Sequence, residues 1–487
     1  PAEWLGDGGE RETINDGTCC DVSMTKPRLI SDQLAEFVLA ARLDRIPAEV
    51  QHWCKLLMLD AIGNAYASSR YDFAQRALAA LQGFGEGDAC VIGCGTRLAL
   101  RDAVMMNGTL IHGLDYDDTY LPGATHLGAS CFPTALALAA QRNTSGADFL
   151  AAYALGMEAG TRLGNASKGA FLKGGFHPTS LLGIFASTLA AGRLSQLTHA
   201  QLVMAQGIAL SWVSGNMQPT QEGTWAKRLH AGIAGAGAIN AVAMAKNDFT
   251  GPFEVYEGRY GLYPCFLGAS GTLAAEADLP FITRDLGVHW ELLRISVKLF
   301  PACYQSHAFM NAALELRAQE AIDIDAIESI NTLIAETAVA LVCEPLAAKH
   351  KPHNSYAASF SLPYAVACCL IRGRFGLEET EEAAYTDPAL LKLAQKVNYE
   401  IDPNSGFPKY RSGEVIVRMR DGRELRRRKN ILPEDRAPEA DVLRKFRDNT
   451  CYVMTPERAS SVIDMILNVE SVSNAKSIAQ ALTASGK

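Results

Sequence analysis

The feature that most narrows the fold is a long stretch, from Leu34 to about residue 250, whose apolar residues recur at helical spacing. DQLAEFVLAARL, IPAEVQHWCKLLMLDAIGNAYA, RLALRDAVMMNGTLIHGLD, ADFLAAYALGMEAGTRLGNA and AQLVMAQGIALSWVSG each read as one helix. Alternating β-branched runs are almost missing before residue 290. Ala and Gly are abundant throughout, and small side chains let helix backbones approach closely. The pattern predicts a tightly packed helical domain rather than a sheet protein.

The texture changes near residue 296. IESINTLIAETAVALV is predicted as a strand, with β-branched residues throughout. GEVIVRMRDGRELRRRK is predicted as a hairpin: Val415, Val417 and Met419 alternate with polar residues, and Asp421-Gly422 supplies the turn. Between them SFSLPYAVACCLI reads as a buried helix, and the tail (EADVLRKFRDNT, then PERASSVIDMILNVE) is helical again. The expected class is therefore mainly α. A large all-helical domain spans 24–295 and takes back 432–487, and a smaller α/β domain spans 296–431. Residues 1–23 are acidic and polar, and are expected to be a disordered or non-native extension.

Composition removes several classes of function. With 487 residues and 48% hydrophobic content the chain can bury a large core, so it is not mainly disordered. A net charge of −8 gives no electrostatic case for nucleic acid or an anionic membrane surface. The longest apolar stretches, near 179–192 and 231–245, fall short of the ~18 residues a membrane span requires. The twelve cysteines are dispersed and include no CxxC pair, which predicts free thiols in a reducing cytoplasm.

The densest polar cluster is IHGLDYDDTYLPGATHLGAS, with Asp115, Asp117, Asp118, Thr119 and His126 just after a helix. Carboxylates, a hydroxyl and an imidazole so close together suit proton transfer. They suit helix capping equally well, and a divalent-metal site is a third option without a recognised ligand spacing. In GGFHPTSLLG, Pro178 fits a first helical turn and places His177 at that N-terminus, where a neutral imidazole is favoured and anions bind. A partly buried capping histidine is the plainer reading. TWAKRLHAG puts Lys227, Arg228 and His230 at the entrance of a Gly/Ala-rich helix. Lys227 there could hold a carboxylate or act as a base if burial lowers its pKa. Gly235 and Gly237 mimic half a dinucleotide fingerprint, but no strand precedes them, so close helix packing explains them better. VKLFPACYQSHAFMNAALEL carries Lys298, Cys303 and His307 at the domain junction, where clefts form. The basic run Arg423–Lys429 reads as edge-strand charge.

Taken together, LDYDDTYLPGATH, GGFHPTSLLG, TWAKRLHAG, FTGPFEVYEGRYG, LFPACYQSHAFMNAALEL and ASFSLPYAVA occur in the order seen in the MmgE/PrpD family, which the chain resembles over about residues 30–470. That family includes 2-methylcitrate dehydratase, cis-aconitate decarboxylase and iminodisuccinate epimerase. The resemblance implies a helical domain with an α/β lid, an active site in the cleft between them, a homodimer, and no metal or organic cofactor. It also implies chemistry on a small anionic carboxylate. Asp115 and Thr119 match polar pocket residues, His126 and His177 match pocket histidines, Lys227 matches the substrate-carboxylate lysine, and His307 matches a lid histidine. Arg228, beside Lys227, joins the expected binding set. Two positions depart from the animal decarboxylases: Cys303 stands for a His, and Leu341 for a Tyr.

The expected function is a cofactor-independent lyase or isomerase that removes a proton next to a carboxylate in a small di- or tricarboxylate. Dehydration or epimerisation ranks ahead of decarboxylation. The alternatives are a metal-dependent hydratase or hydrolase built on Asp117, Asp118, His126 and His177, and a non-catalytic carboxylate-binding protein on the same fold.

Overall fold

The computed structural model describes residues 28–268, 272–407 and 409–483. The expectation for residues 1–23 falls outside them. Helices run over Ala48–Ser68, Leu100–His112, Gly128–Arg142, Gly146–Ala166, Pro178–Leu194 and Ala226–Lys246, among others. From Trp53 to Ser68 every residue is buried, as is every residue from Pro178 to Gly192. A helix buried on all sides belongs at the centre of a large core.

The helix-packing reading of the Gly/Ala-rich segment holds. Leu100–His112 and Ala226–Lys246 cross antiparallel with almost no side chain between them. A Cβ on Gly232 would lie 2.2 Å from the Met105 carbonyl oxygen, and one on Gly235 2.7 Å from Val104 Cγ1. This crossing brings the C-terminal end of the first helix, with His112, beside the N-terminal end of the second, with Lys227.

The later part of the chain carries a four-stranded sheet. Its spatial order is Val397–Ile401, Ile327–Ile334, Arg411–Met419, Glu424–Ile431, and the first pair alone is parallel. Helices His307–Gln319 and Leu362–Arg372 pack on it. The hairpin is as expected: Val415, Val417 and Met419 are buried, and Gly422 takes φ +88° in the turn. Its second strand forms the sheet edge, with Arg426 and Arg428 paired to Glu414.

One element differs. The predicted strand ends at Ile334, and Glu336–Val342 is a helix. Ala335 is still extended. The segment after it, ETAVALV, is led by an acidic residue and contains two alanines, which favours a helix start over continued pairing.

The buried apolar residues separate into two main clusters. One unites residues 30–297 with 442–482, and the other holds 300–419. Ala67, Tyr116 and Leu377 form a small third cluster drawn from both stretches. The tail is pinned by Lys445, buried, which pairs with Asp60 and donates to the Tyr116 carbonyl at 2.6 Å. Among the described residues no helix is long and apolar enough to cross a membrane, and all ten cysteines are free thiols.

Candidate active site

The helix Leu100–His112 ends in the loop that carries the acidic cluster. Asp115 adopts φ +51°, a left-handed conformation that Asp and Asn take more readily than other non-glycine residues. It is held there by Lys298, whose ammonium donates to the Asp115 carbonyl at 2.7 Å and to its carboxylate at 3.0 Å. Lys227 reaches the same carboxylate oxygen at 3.3 Å. Burial alone would raise the Asp115 pKa, but Lys227 and Lys298, helped by His126 and His112, hold it well below the usual carboxylate range.

Two ammoniums thus share one carboxylate. Arg228 stands beside them with its guanidinium 4.2 Å from the Phe73 ring centroid and no carboxylate partner among the described residues. Together these groups leave an excess of positive charge at a small cavity of about 50 Å³. His112, Asp115, Lys227 and Arg228 line one side of it, and Tyr356, Ser359 and Phe360 the other.

Four histidines stand in a row behind this charge. His112 and His126 lie 5.1 Å apart, His112 and His177 5.4 Å, and His177 and His230 5.1 Å, between ring centroids. His112 Nδ1 is 2.9 Å from Asp117 Oδ2, both fully buried. A carboxylate fixes the proton on Nδ1 and leaves Nε2 with its lone pair free. That Nε2 is buried without a partner. His126 Nδ1 faces the Asp118 carbonyl at 2.8 Å, which can only accept, so His126 too carries its proton on Nδ1 and directs Nε2 toward Asp115, 3.8 Å away. Burial holds His126 down to about 3, offset in part by Asp117, and burial with His112 and Lys227 holds His230 to about 4. His177 is pushed well below its ordinary value by burial and Lys227. Asp117 lies at about 2: burial opposes this, and His112 and His126 outweigh it. At neutral pH, His126, His177 and His230 are neutral and Asp115 and Asp117 are charged.

Of the residues expected from sequence, Asp115, Lys227 and Arg228 meet at the cavity, with His126 and His177 in the row behind. His177 is the N-cap of Pro178–Leu194, and its Nδ1 lies 2.9 Å from His230 Nδ1. Thr119 Oγ1 lies 3.1 Å from the same protonated Nδ1 of His126 and accepts from it. His307 lies elsewhere. Its Nε2 donates to the Ala302 carbonyl at 3.1 Å, its ring sits against Phe300 and Tyr304, and it lines a separate groove with Asn311 and Asp435. The residue from the domain junction that reaches Asp115 is Lys298. Cys303 is buried, and burial raises its thiol pKa, which disfavours a thiolate nucleophile.

Sequence reasoning passed over His112, and it named Lys298 at the domain junction without its partner Asp115. His112 ends an apolar helix and looks like a core residue, and Lys298 finds Asp115 across 183 positions. The donor set that could hold a metal also differs from the expected one. It is His112, Asp115, Asp117 and His126, whose ligand atoms all lie within 4.8 Å of one another. Asp118 instead turns a carboxylate oxygen to the Gly128 amide, and burial pushes its pKa well up.

The chain belongs to the MmgE/PrpD family. The model of the MmgE/PrpD N-terminal domain matches residues 32–272, and that of the C-terminal domain matches residues 300–471. It is 24% identical to a "cis-aconitate decarboxylase-like protein oryM" of Aspergillus oryzae, over 91% of this chain and 94% of that protein. It is 26% identical to a cis-aconitate decarboxylase of Aspergillus terreus, over 91% of this chain and 93% of the relative. It is 28% identical to the human cis-aconitate decarboxylase, over 77% of each chain.

Proposed function

We propose that this protein is a lyase or isomerase that removes a proton from the carbon beside a carboxylate in a small di- or tricarboxylate, without a metal or organic cofactor. The observation that carries this reading is Asp115 shared by Lys227 and Lys298, beside the unpaired Arg228 and the free Nε2 of His112. A substrate carboxylate binds the ammoniums and the guanidinium. His112 Nε2 takes the α-proton, and Asp117 stabilises the imidazolium that forms. The C–H electron pair moves into the carboxylate, where Lys227 and Lys298 hold the added charge. The intermediate then collapses in one of two ways. A β-hydroxyl leaves as water after taking a proton from an acid in the site, or the carbon is reprotonated from the other face.

The relatives' names add a separate reaction that starts without α-proton removal: the C–C bond to a carboxylate breaks, CO₂ departs, and the electron pair left on the carbon skeleton is taken up by a proton delivered from an acid in the site. The resemblance sets Cys303 and Leu341 against a His and a Tyr of the animal decarboxylases, and on that reading this reaction ranks behind the other two. The enzyme is read as cytoplasmic and as a homodimer, and sedimentation of the purified chain tests the dimer.

Proton NMR in D₂O with citrate, 2-methylcitrate, cis-aconitate, iminodisuccinate and tartrate-like diacids tests the chemistry. Deuterium entering one α-carbon supports proton abstraction, and the product selects the branch. No exchange and no turnover across the panel contradicts it.

The metal-dependent reading keeps one specific observation: His112 Nε2 and Asp117 Oδ1 are both buried and unpartnered within the four-residue donor set. Against it, Lys227 and Lys298 already occupy Asp115 and repel a cation. Metal analysis of protein purified without added ions separates the two, since a stoichiometric metal whose removal abolishes turnover would favour the metal.

A further inference from the structure

The cavity at Asp115 is tight for a polycarboxylate. About 50 Å³ is room for a few waters or one carboxylate with its neighbouring carbon. A second, open cavity of about 740 Å³ has Tyr356 and Phe360 in its lining as well. Those rings stack at 4.5 Å with 28° between their planes. Lys349 lines this second cavity. Its ammonium donates to the Leu341 carbonyl at 2.7 Å and to the Phe360 carbonyl at 2.8 Å, which leaves a third proton unused. Among the described residues no carboxylate pairs with it. Two carbonyls fix the position of the charge without neutralising it. Burial lowers the Lys349 pKa, so the charge is incompletely solvated and gains from an anion. The one carboxylate on the wall, Glu222, accepts from Gln218 at 2.6 Å.

We propose that Lys349 is the anchor of a second anion subsite, so that the substrate is an extended polycarboxylate: its reacting end lies at Asp115, Lys227 and Lys298, and a remote anionic group lies in the second cavity. This rests on the function proposed above and narrows its substrate class. Leu341, on the wall of the second cavity and 39% exposed, limits the space available to the remote end.

Calorimetry with two matched series of 2-alkylsuccinates tests it, one tipped by a carboxylate and the other by a methyl group, with tethers of increasing length. The tether that reaches Lys349 should make the carboxylate-tipped ligand bind about tenfold tighter than its methyl twin, the scale of one charge-assisted contact. Lys349→Met should bring the two together, and Lys349→Arg should keep most of the difference. Leu341→Trp gives a second handle should Lys349→Met fail to fold, and should weaken long ligands more than short ones. If succinates bind and Lys227→Ala weakens them, but no tether length separates the two series, the subsite is wrong and the proposed function stands. If no succinate binds and no acid of the D₂O panel exchanges, both are overturned.

Discussion

The two sides of the inner cavity differ in kind. His112, Asp115, Lys227 and Arg228 all precede residue 230, and they supply every carboxylate, ammonium, guanidinium and imidazole on the lining. The residues after 300 supply Pro301, Ser355, Tyr356, Ser359, Phe360, Leu377 and Thr380: hydroxyls, rings and apolar surface. The first side is built on a close helix crossing and a loop held in place by Lys298. The second is built on short helices next to a sheet. Proton transfer needs groups fixed to a fraction of an ångström, and rigid crossed helices provide that. Hydroxyls and rings on the facing side suit recognition, where a small misplacement costs less.

If that division is right, substitutions on the two sides separate chemistry from fit. The largest loss should come from Asp115→Asn, Lys227→Ala and His112→Gln, each lowering the rate of α-proton exchange by about 10²–10⁴. Asp117→Asn should fall in the same range, because an amide no longer fixes the His112 tautomer. Steady-state kinetics checks this, with an unchanged circular dichroism spectrum as the control for folding.

Gly232→Ala strikes the crossing itself. Its Cβ would meet the Met105 carbonyl at 2.2 Å, so urea unfolding should show a loss of about 1–3 kcal/mol together with lowered activity. A fully active, fully stable variant would mean that the helix crossing does not set the geometry of the site.

Acid should weaken both stretches of the molecule. His126 at about 3, His230 at about 4 and His307 at about 3 are all held down chiefly by burial. The unfolded chain binds protons at these groups below about pH 6.5, while the folded chain does not. Their contribution is therefore complete above that pH and is lost as pH falls toward 4 for His230 and toward 3 for His126 and His307. The slope is on the order of 1.4 kcal/mol per pH unit for each fully coupled group. Urea titrations at pH 7 and pH 5 measure it. His307→Gln should flatten the slope without abolishing proton exchange, because its ring is engaged with Ala302, Phe300 and Tyr304 rather than with the cavity.

The smallest effects belong to the facing side. Tyr356→Phe and Ser359→Ala should raise KM a few-fold, about 1 kcal/mol of uniform binding, with kcat little changed. A large fall in kcat instead would move chemistry to that side and break the comparison.

Much of this was legible in the sequence where physics acts locally. The helical spacing before residue 250, the Asp421-Gly422 hairpin and Pro178 opening a helix behind His177 depend on near neighbours. The helix over Glu336–Val342 was hidden because Ala, Val and Leu in a short run satisfy both periodicities. The site was legible in its residue types, with Asp115, Lys227 and Arg228 brought to one cavity. What could not be read is which polar atoms lack a partner. The free Nε2 of His112 and the grip of Lys298 on Asp115 exist only after distant segments meet. His307 shows the converse: a histidine at the junction whose ring has its partners locally.

The most direct test of the central claim is deuterium incorporation in D₂O, followed by proton NMR across the polycarboxylate panel, for the wild type and for His112→Gln. The account predicts exchange at one carbon beside a carboxylate in the wild type, and a loss of about a hundredfold or more in the variant with substrate binding retained. Full exchange in His112→Gln would contradict the assignment of the base. No exchange by the wild type with any acid would contradict the proposed chemistry.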